Sequence, residues 1–413
     1  MSKLLKLTLS GVKNIEEPLN LEFSNLSMER MGEEINKTKG IFGYNGSGKS
    51  AIVDGVYLYK MILLSPNFLL QNQTQEFLEE TLNRKTKRFE ISFCFLTEEK
   101  KILRHSLTLS FDPASRHYLI EKEALTLLRG RTLNEGGEAL LSKVPSSEDA
   151  SAVSPYQSLV SSCVESLTKK GETEPGKKEK HAFDALSFAA QFDVYLQSEA
   201  LPKASPFDDR LSEFLGKGFP AKETDPSKET VKRSEYTSYE KANASLEKFV
   251  QLFKPSLLKI RLSKTLQGEL YHVRREFVYE DYAIDFAYES SGIKQLVSLY
   301  HYLKECSEGG IVFIDEIDVN LNTAYFKKLI AYFQNYGKGQ LIFTTHNVEA
   351  MEVLKKARRG IEVLGSNGKA YTWVARGNRS PVKEYLDGYI PHSPLNIEDF
   401  DFIKVFQNEE EKI

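Results

Sequence analysis

Cysteine is scarce in this chain: three in 413 residues, at 94, 163 and 306. They are far apart, odd in number and form no CxxC pair, which excludes a disulfide framework and a paired-cysteine zinc clasp and fits a reducing cytosol. Cys94 falls inside an apolar strand pattern, as a small core residue would. A strong charge of one sign is also missing. The formal net charge is −3, so nothing overall draws the chain to nucleic acid. No run approaches the ~20 apolar residues needed to span a bilayer, and the longest candidate, Met61 to Leu70, is interrupted by Ser65, Pro66 and Asn67. The first residues, MSKLLKLTLSGVKNIEE, turn polar too soon for a signal peptide. A soluble, cytoplasmic protein with no membrane partner is expected. No heptad pattern is sustained over several turns and no internal repeat is present, which argues against a coiled coil or a solenoid.

What is present is ordinary globular material, 41 % apolar and 27 % charged, in a chain long enough for two or three domains or one with a large insertion. Leu4 to Leu9 and Leu19 to Phe23 read as paired strands, and Gly40 to Phe42 as a strand running into a glycine-rich loop. Lys49 to about Leu64 reads as a helix. Phe89, Ile91, Phe93 and Phe95 alternate, as do Leu103, His105, Leu107, Leu109 and Phe111, the pattern of half-buried antiparallel strands. His105 is read as a residue of that patterned face.

Residues 141–245 differ. They hold seven of the fourteen prolines, and Lys169 to His181 mixes charge signs around Pro and Gly, which reads as a solvated loop. Short helical patches such as His181 to Leu196 flank it. Regular structure resumes from Ser238. Ile311 to Ile314 and Leu341 to Thr344 are short apolar runs of the kind buried in parallel sheets. Between them Tyr325, Phe326, Leu329, Ile330 and Phe333 keep helical spacing, which makes a βαβ unit. The expected division is a lobe over 1–140, a helical and partly disordered insertion over 141–245, and a second lobe over 246–413.

Four segments carry chemistry. Gly43-Tyr-Asn45-Gly46-Ser47-Gly48-Lys49-Ser50 is an intact GxxxxGK[ST] loop between a strand and a helix. Its glycines let successive N–H groups turn toward phosphate oxygens, and the helix adds its positive end. Lys49 is expected to bridge the β- and γ-phosphates of ATP and Ser50 to ligate Mg²⁺. Ile311-Val-Phe-Ile-Asp315-Glu316 is an apolar strand ending in two acids, with Asp315 expected in the Mg²⁺ shell and Glu316 on the attacking water. Gln340-Leu-Ile-Phe-Thr-Thr-His346-Asn347 again delivers polar residues from a strand end, His346 toward the γ-phosphate. Glu289-Ser290-Ser291-Gly292 opens a helix, as an anion site or a plain N-cap does.

This order of motifs resembles the ATP-binding-cassette ATPases of the SMC, RecF and OLD-nuclease branch. The resemblance implies an α/β fold: an ABC-ATPase-like head with a mixed or parallel core sheet flanked by helices, an antiparallel β lobe, and a mostly helical and loop insertion without a long coiled coil. It implies a head-to-tail homodimer in which Ser290, Ser291 and Gly292 of one protomer close over ATP held by the other's loop, with Asp318 crossing the interface. The signature here is SSG where relatives carry SGG. Lys13, in Gly11-Val-Lys13-Asn14, matches a basic position near the nucleotide base. Asn320 and Asn322 stand where relatives often have Ser and His. The glutamine that senses Mg²⁺ has only Gln71 and Gln73 as candidates. A narrower similarity, ESSG-I/T-K and a Tyr-Leu-x-Gly-Tyr segment at Tyr385 to Tyr389, is to compact bacterial abortive-infection and anti-phage ATPases.

The function expected is Mg²⁺-dependent ATP hydrolysis that closes and opens a dimer, or a higher assembly of dimers, and so controls a separately encoded nuclease or toxin. The alternative is a RecF- or SMC-like ATPase of DNA repair or maintenance that binds DNA. No fused nuclease pattern follows His346; Glu398, Asp399 and Asp401 read as a solvated acidic tail.

Overall fold

The computed structural model describes residues 1–24, 35–130, 132–143, 153–170, 176–197, 224–365, 367–375 and 379–390. The acids at 398, 399 and 401 lie outside them, as do residues 171–175 of the expected solvated loop.

The chain opens with β1 (Lys3–Ser10) and β2 (Leu19–Glu22), an antiparallel pair. Strand β3 (Thr38–Gly43) is buried along its whole length and passes through the loop at 43–48 into α1 (Lys49–Leu64). After α2 (Asn72–Thr81) come four long strands, β4 (Arg88–Leu96), β5 (Ile102–Asp112), β6 (His117–Leu128) and β7 (Gly137–Lys143). With β1 and β2 they form one antiparallel sheet in the order β2-β1-β4-β5-β6-β7. Alternation in 89–95 and 103–111 puts Phe89, Ile91, Phe93, Leu103, Leu107 and Leu109 on the face that α1 covers.

Helices α3 (Leu159–Lys170) and α4 (Lys177–Ala190) follow, then the short β8 (Phe192–Tyr195). Lys177 to His181 is the first turn of α4, and His181 is buried, where the sequence suggested loop. The helix wins there because its opposite face supplies Ala182, Ala185, Leu186, Phe188 and Ala189 to the apolar cluster of α1 and β4. The ring of Phe188 stacks on Phe95 with centroids 4.0 Å apart. Strand β8 pairs in parallel with β13 (Ile311–Ile314). Among the described residues of 141–245, α3 and α4 thus pack against the antiparallel sheet and β8 adds to the core sheet.

A second, smaller sheet holds β9 (Thr230–Lys232), β10 (Lys259–Gln267), β11 (Leu270–Val278) and β12 (Ala283–Asp285), with α5 (Tyr236–Phe253) packed on it. Helix α6 (Ser291–Glu308) leads into β13. Then come α7 (Thr323–Tyr336), β14 (Gln340–Thr344), α8 (Ala350–Leu354), β15 (Ile361–Leu364), β16 (Ala370–Thr372) and α9 (Pro381–Leu386). The core sheet runs β16-β15-β3-β14-β13-β8 and is parallel except for β16. Its central strands are buried along their whole length because both faces are covered. Their carboxyl ends lie together, which brings the loop at 43–48, the acids after β13 and the polar residues after β14 to one edge.

Candidate active site

The loop after β3 is shaped by two glycines in the left-handed region, Gly46 at φ 80° and Gly48 at φ 102°. Gly48 is the N-cap of α1, no side chain caps that helix, and its first turn carries no acid. The first N–H groups of α1 are thus free to meet an anion at the positive end of the helix. The Lys49 ammonium folds back over the loop and donates to the carbonyls of Gly43 at 2.9 Å and Tyr44 at 3.0 Å. Burial pushes this ammonium below the ordinary lysine range, while the carboxylates of Glu316, Asp315 and Asp318 pull it back up. One buried cation thus lies within electrostatic reach of three acids that follow a different strand.

Asp315 and the backbone of Glu316 are held by Thr344, whose role the sequence reading missed. Thr344 Oγ1 donates to Asp315 Oδ1 at 2.6 Å and accepts from the Glu316 N–H at 2.8 Å. Glu316 itself sits at φ 49°, a left-handed conformation rare outside glycine and frequent at functional turns. Tight turns continue through Asp318 to Asn320, also left-handed at φ 60°. The His346 ring lies beyond β14 with Nε2 4.0 Å from Glu316 Oε1, and both side chains are partly open to solvent. Asn347 donates to Thr323 Oγ1 at 3.0 Å and so ties the end of β14 to the start of α7.

Ser290 is the N-cap of α6, its hydroxyl accepting from Ile293 N at 3.4 Å, and Ser290 and Ser291 are both exposed. Within one protomer they are surface residues, not neighbours of the phosphate loop by sequence or strand order. Asn322 caps α7, its Oδ1 accepting from Ala324 N at 2.9 Å. Gln71 precedes α2 and is exposed, as is Gln73. Gln75 is the buried glutamine of this segment, donating to Leu69 O at 2.6 Å and accepting from Tyr118 N at 2.7 Å.

The turn after β1 seats itself on the phosphate loop. Asn14 Nδ2 donates to Gly46 O at 2.6 Å, and a Cβ at Gly48 would stand 3.0 Å from Ile15 and 3.1 Å from Asn14 Oδ1. Lys13 reaches α1, where Asp54 takes its ammonium at 2.6 Å. Asn14 and Asp54 escaped the sequence reading, although Asp54 is spaced four residues from Ser50 on one helix, a signal that was there to find. An apolar cleft of about 480 Å³ lies apart from all this, between α5, α6 and α7, and shares no residue with the loop.

The family model described as "AAA domain, putative AbiEii toxin, Type IV TA system" matches residues 40–352. The chain belongs to this family. As a member of this AAA family it is a P-loop ATPase related to abortive-infection proteins, and the matched span runs from within β3 into α8, taking in the loop at 43–50, the serine-bearing helix start, the acids after β13 and His346, but not the turn at Lys13 and Asn14. Solved structures similar to it include the SMC head bound to the C-winged helix domain of ScpA, at 15% identity and TM-score 0.46 over 90% of this chain and 97% of that one. Another is the recombination mediator protein RecF with ATP in the RecFOR pathway, at 13% identity and TM-score 0.42 over 90% and 98%. No curated protein matches the chain. Among the described residues no helix of the AAA-family protein is long and apolar enough to cross a membrane.

Proposed function

We propose that this ATPase is a Mg²⁺-dependent switch: ATP closes two protomers head to tail, hydrolysis reopens them, and the cycle controls a separately encoded effector, a nuclease or toxin, in bacterial anti-phage defence. The observation that carries the catalytic part is that the loop at the uncapped start of α1, the acids after β13 and His346 after β14 share one edge of the parallel sheet. In this reading the N–H groups of residues 43–50 and Lys49 hold the β- and γ-phosphates. Glu316 orients and deprotonates the attacking water, and His346 contacts the γ-phosphate. Ser290, Ser291 and Gly292 of the second protomer supply the other wall, and Asp318 faces across the interface.

The donors fit magnesium. Ser50 offers a hydroxyl and Asp315 a carboxylate whose second oxygen is not the one held by Thr344, both hard oxygen ligands. An ion held by two such ligands would keep waters and lean on substrate phosphates. When bound, Mg²⁺ neutralises phosphate charge; the residues above provide placement and proton transfer. The defence role is supported by the family's description as an AbiEii toxin of a type IV toxin–antitoxin system.

The test is Glu316→Gln. Turnover should fall at least about 100-fold, the usual worth of a general base, while mass measured in solution should show a dimer accumulating on ATP alone. Normal turnover would remove Glu316 from the mechanism. A dimer that forms only with double-stranded DNA would move the assignment to a RecF-like repair ATPase.

A further inference from the structure

One charge pair beside the site has no part in the mechanism above. Lys13 is held at three points: its N–H donates to Thr81 O at 2.7 Å, its carbonyl accepts from Asn83 Nδ2 at 2.8 Å, and its ammonium lies 2.6 Å from Asp54 Oδ2. Its backbone is left-handed, φ 48°, so the turn aims this side chain at a cost that other contacts must offset. Asp54 is one helical turn beyond Ser50 on α1. Its side chain is 6% exposed, against 46% for Lys13.

The asymmetry is informative. A staple joining the turn to the helix would have both ends buried. Here the carboxylate is sunk in the wall and the lysine side chain stays nearly half open to solvent. Burial pushes the Asp54 carboxyl up, the Lys13 ammonium opposes that shift, and the charge of Asp315 adds to it. Asp54 thus lies within electrostatic reach of Asp315 as well as in contact with Lys13. The adjacent residue, Asn14, already holds the Gly46 carbonyl, so Lys13 is mounted on the segment that grips the phosphate loop.

We infer that Asp54 is a positioning residue for nucleotide binding: it fixes the Lys13 ammonium at the mouth of the phosphate loop, so that Lys13 meets ATP already oriented. This rests on reading residues 43–50 as the ATP loop. A lysine ordered in advance loses less freedom on binding, and freeing one rotamer-rich side chain weakens a ligand by about 2- to 10-fold.

The experiment is titration of a fluorescent ATP analogue with Mg²⁺ into the full chain, together with steady-state turnover. Lys13→Met and Asp54→Asn should each weaken binding by up to about tenfold, raising KM while leaving kcat within about twofold. The double variant should be no worse than the weaker single one, because the two act as one unit. Asp54→Glu should recover part of the loss, and keeps the proposal testable if the asparagine variant does not fold. Wild-type affinity in Asp54→Asn, or losses that multiply in the double variant, would overturn it. Lys49→Ala serves as the separate control: if it binds the analogue normally, the ATP-loop reading itself fails, whatever the Asp54 variants do.

Discussion

Gly292, the second residue of α6, faces the backbone carbonyl of Asn320: a Cβ at Gly292 would come within 2.9 Å of that oxygen. The start of the serine-bearing helix and the turn after the acidic strand are therefore in van der Waals contact inside one protomer. Both are segments expected to meet the second protomer, so neither can shift alone. Gly292→Ala should displace the 316–320 turn at a strain of about 1–3 kcal/mol. ATP-driven dimerisation should weaken by about tenfold, and the chain should lose stability by no more than that strain. Analytical ultracentrifugation with ATP checks this, and an unaltered dimer affinity would contradict it.

Thr344 makes a second prediction. Its hydroxyl bridges Asp315 and the strained Glu316 backbone, so Thr344→Val keeps the shape and deletes both bonds. Loss of an outer partner of a metal ligand typically costs 10–100-fold in metal affinity, roughly. The Mg²⁺ concentration for half-maximal ATPase activity should rise by about that factor, in addition to a stability loss of about 1–3 kcal/mol for the partners left unpaired. An unchanged Mg²⁺ requirement would exclude Asp315 as the magnesium ligand or Thr344 as its support.

How much of this was legible in the sequence follows from how local each signal is. Helix α1 was readable to both ends, because its start is fixed by the glycine loop and its end by Ser65 and Pro66. The strands at 88–96 and 102–112 were readable from alternation. Strand β8 was not: Phe-Asp-Val-Tyr is four residues long and lacks a clean period, and only pairing with β13 makes it a strand. The start of α4 was hidden because Lys177 to Lys180 is charged, and its helicity depends on the buried face beyond. The acids and the loop were legible as segments, and the sheet brings them to one edge. Thr344 was not, since a hydroxyl at the end of an apolar strand announces no partner until the strands are side by side.

The antiparallel sheet is joined to the phosphate-loop helix by a dry polar chain, which gives a pH prediction. Tyr59 of α1 bonds His105 Nδ1 at 2.9 Å, and His105 Nε2 meets Glu123 Oε1 at 3.1 Å. Glu123 also accepts from Ser158 Oγ, Leu159 N and Val160 N at the start of α3. Burial alone would raise the Glu123 carboxyl, but His105, the Ser158 hydroxyl and the Leu159 N–H outweigh it and hold the group below the usual carboxylate range. A depressed folded value means stability that is present above the unfolded pKa, about 4.3, and is lost as pH falls through the folded one. Glu123→Gln should therefore cost about 1.5–3 kcal/mol at pH 7. The difference from wild type should shrink steadily below about pH 4.3. Urea midpoints of both proteins from pH 7 to pH 3 measure this, and a gap independent of pH would remove the charge of Glu123 from the account.

The core sheet contains a stricter test of buried charge. Lys39 of β3 and Glu362 of β15 pair at 2.8 Å with side chains 0% and 1% exposed, and Thr372 Oγ1 donates to the same carboxylate at 3.0 Å. Taking one partner away leaves the other charged and dry, which costs about 3–5 kcal/mol, whereas replacing both with apolar residues is often neutral or better. Lys39→Met should thus be severely destabilising, and Glu362→Leu somewhat more so because it also orphans the Thr372 hydroxyl. The combination Lys39→Met with Glu362→Leu should recover most of either loss, leaving about 1–3 kcal/mol for the unpaired hydroxyl. Since β3 runs directly into the phosphate loop, ATP turnover should follow stability across the three variants. Additive losses in the double variant would mean that the two residues stabilise the sheet separately, through their stems and neighbours, and not as a pair.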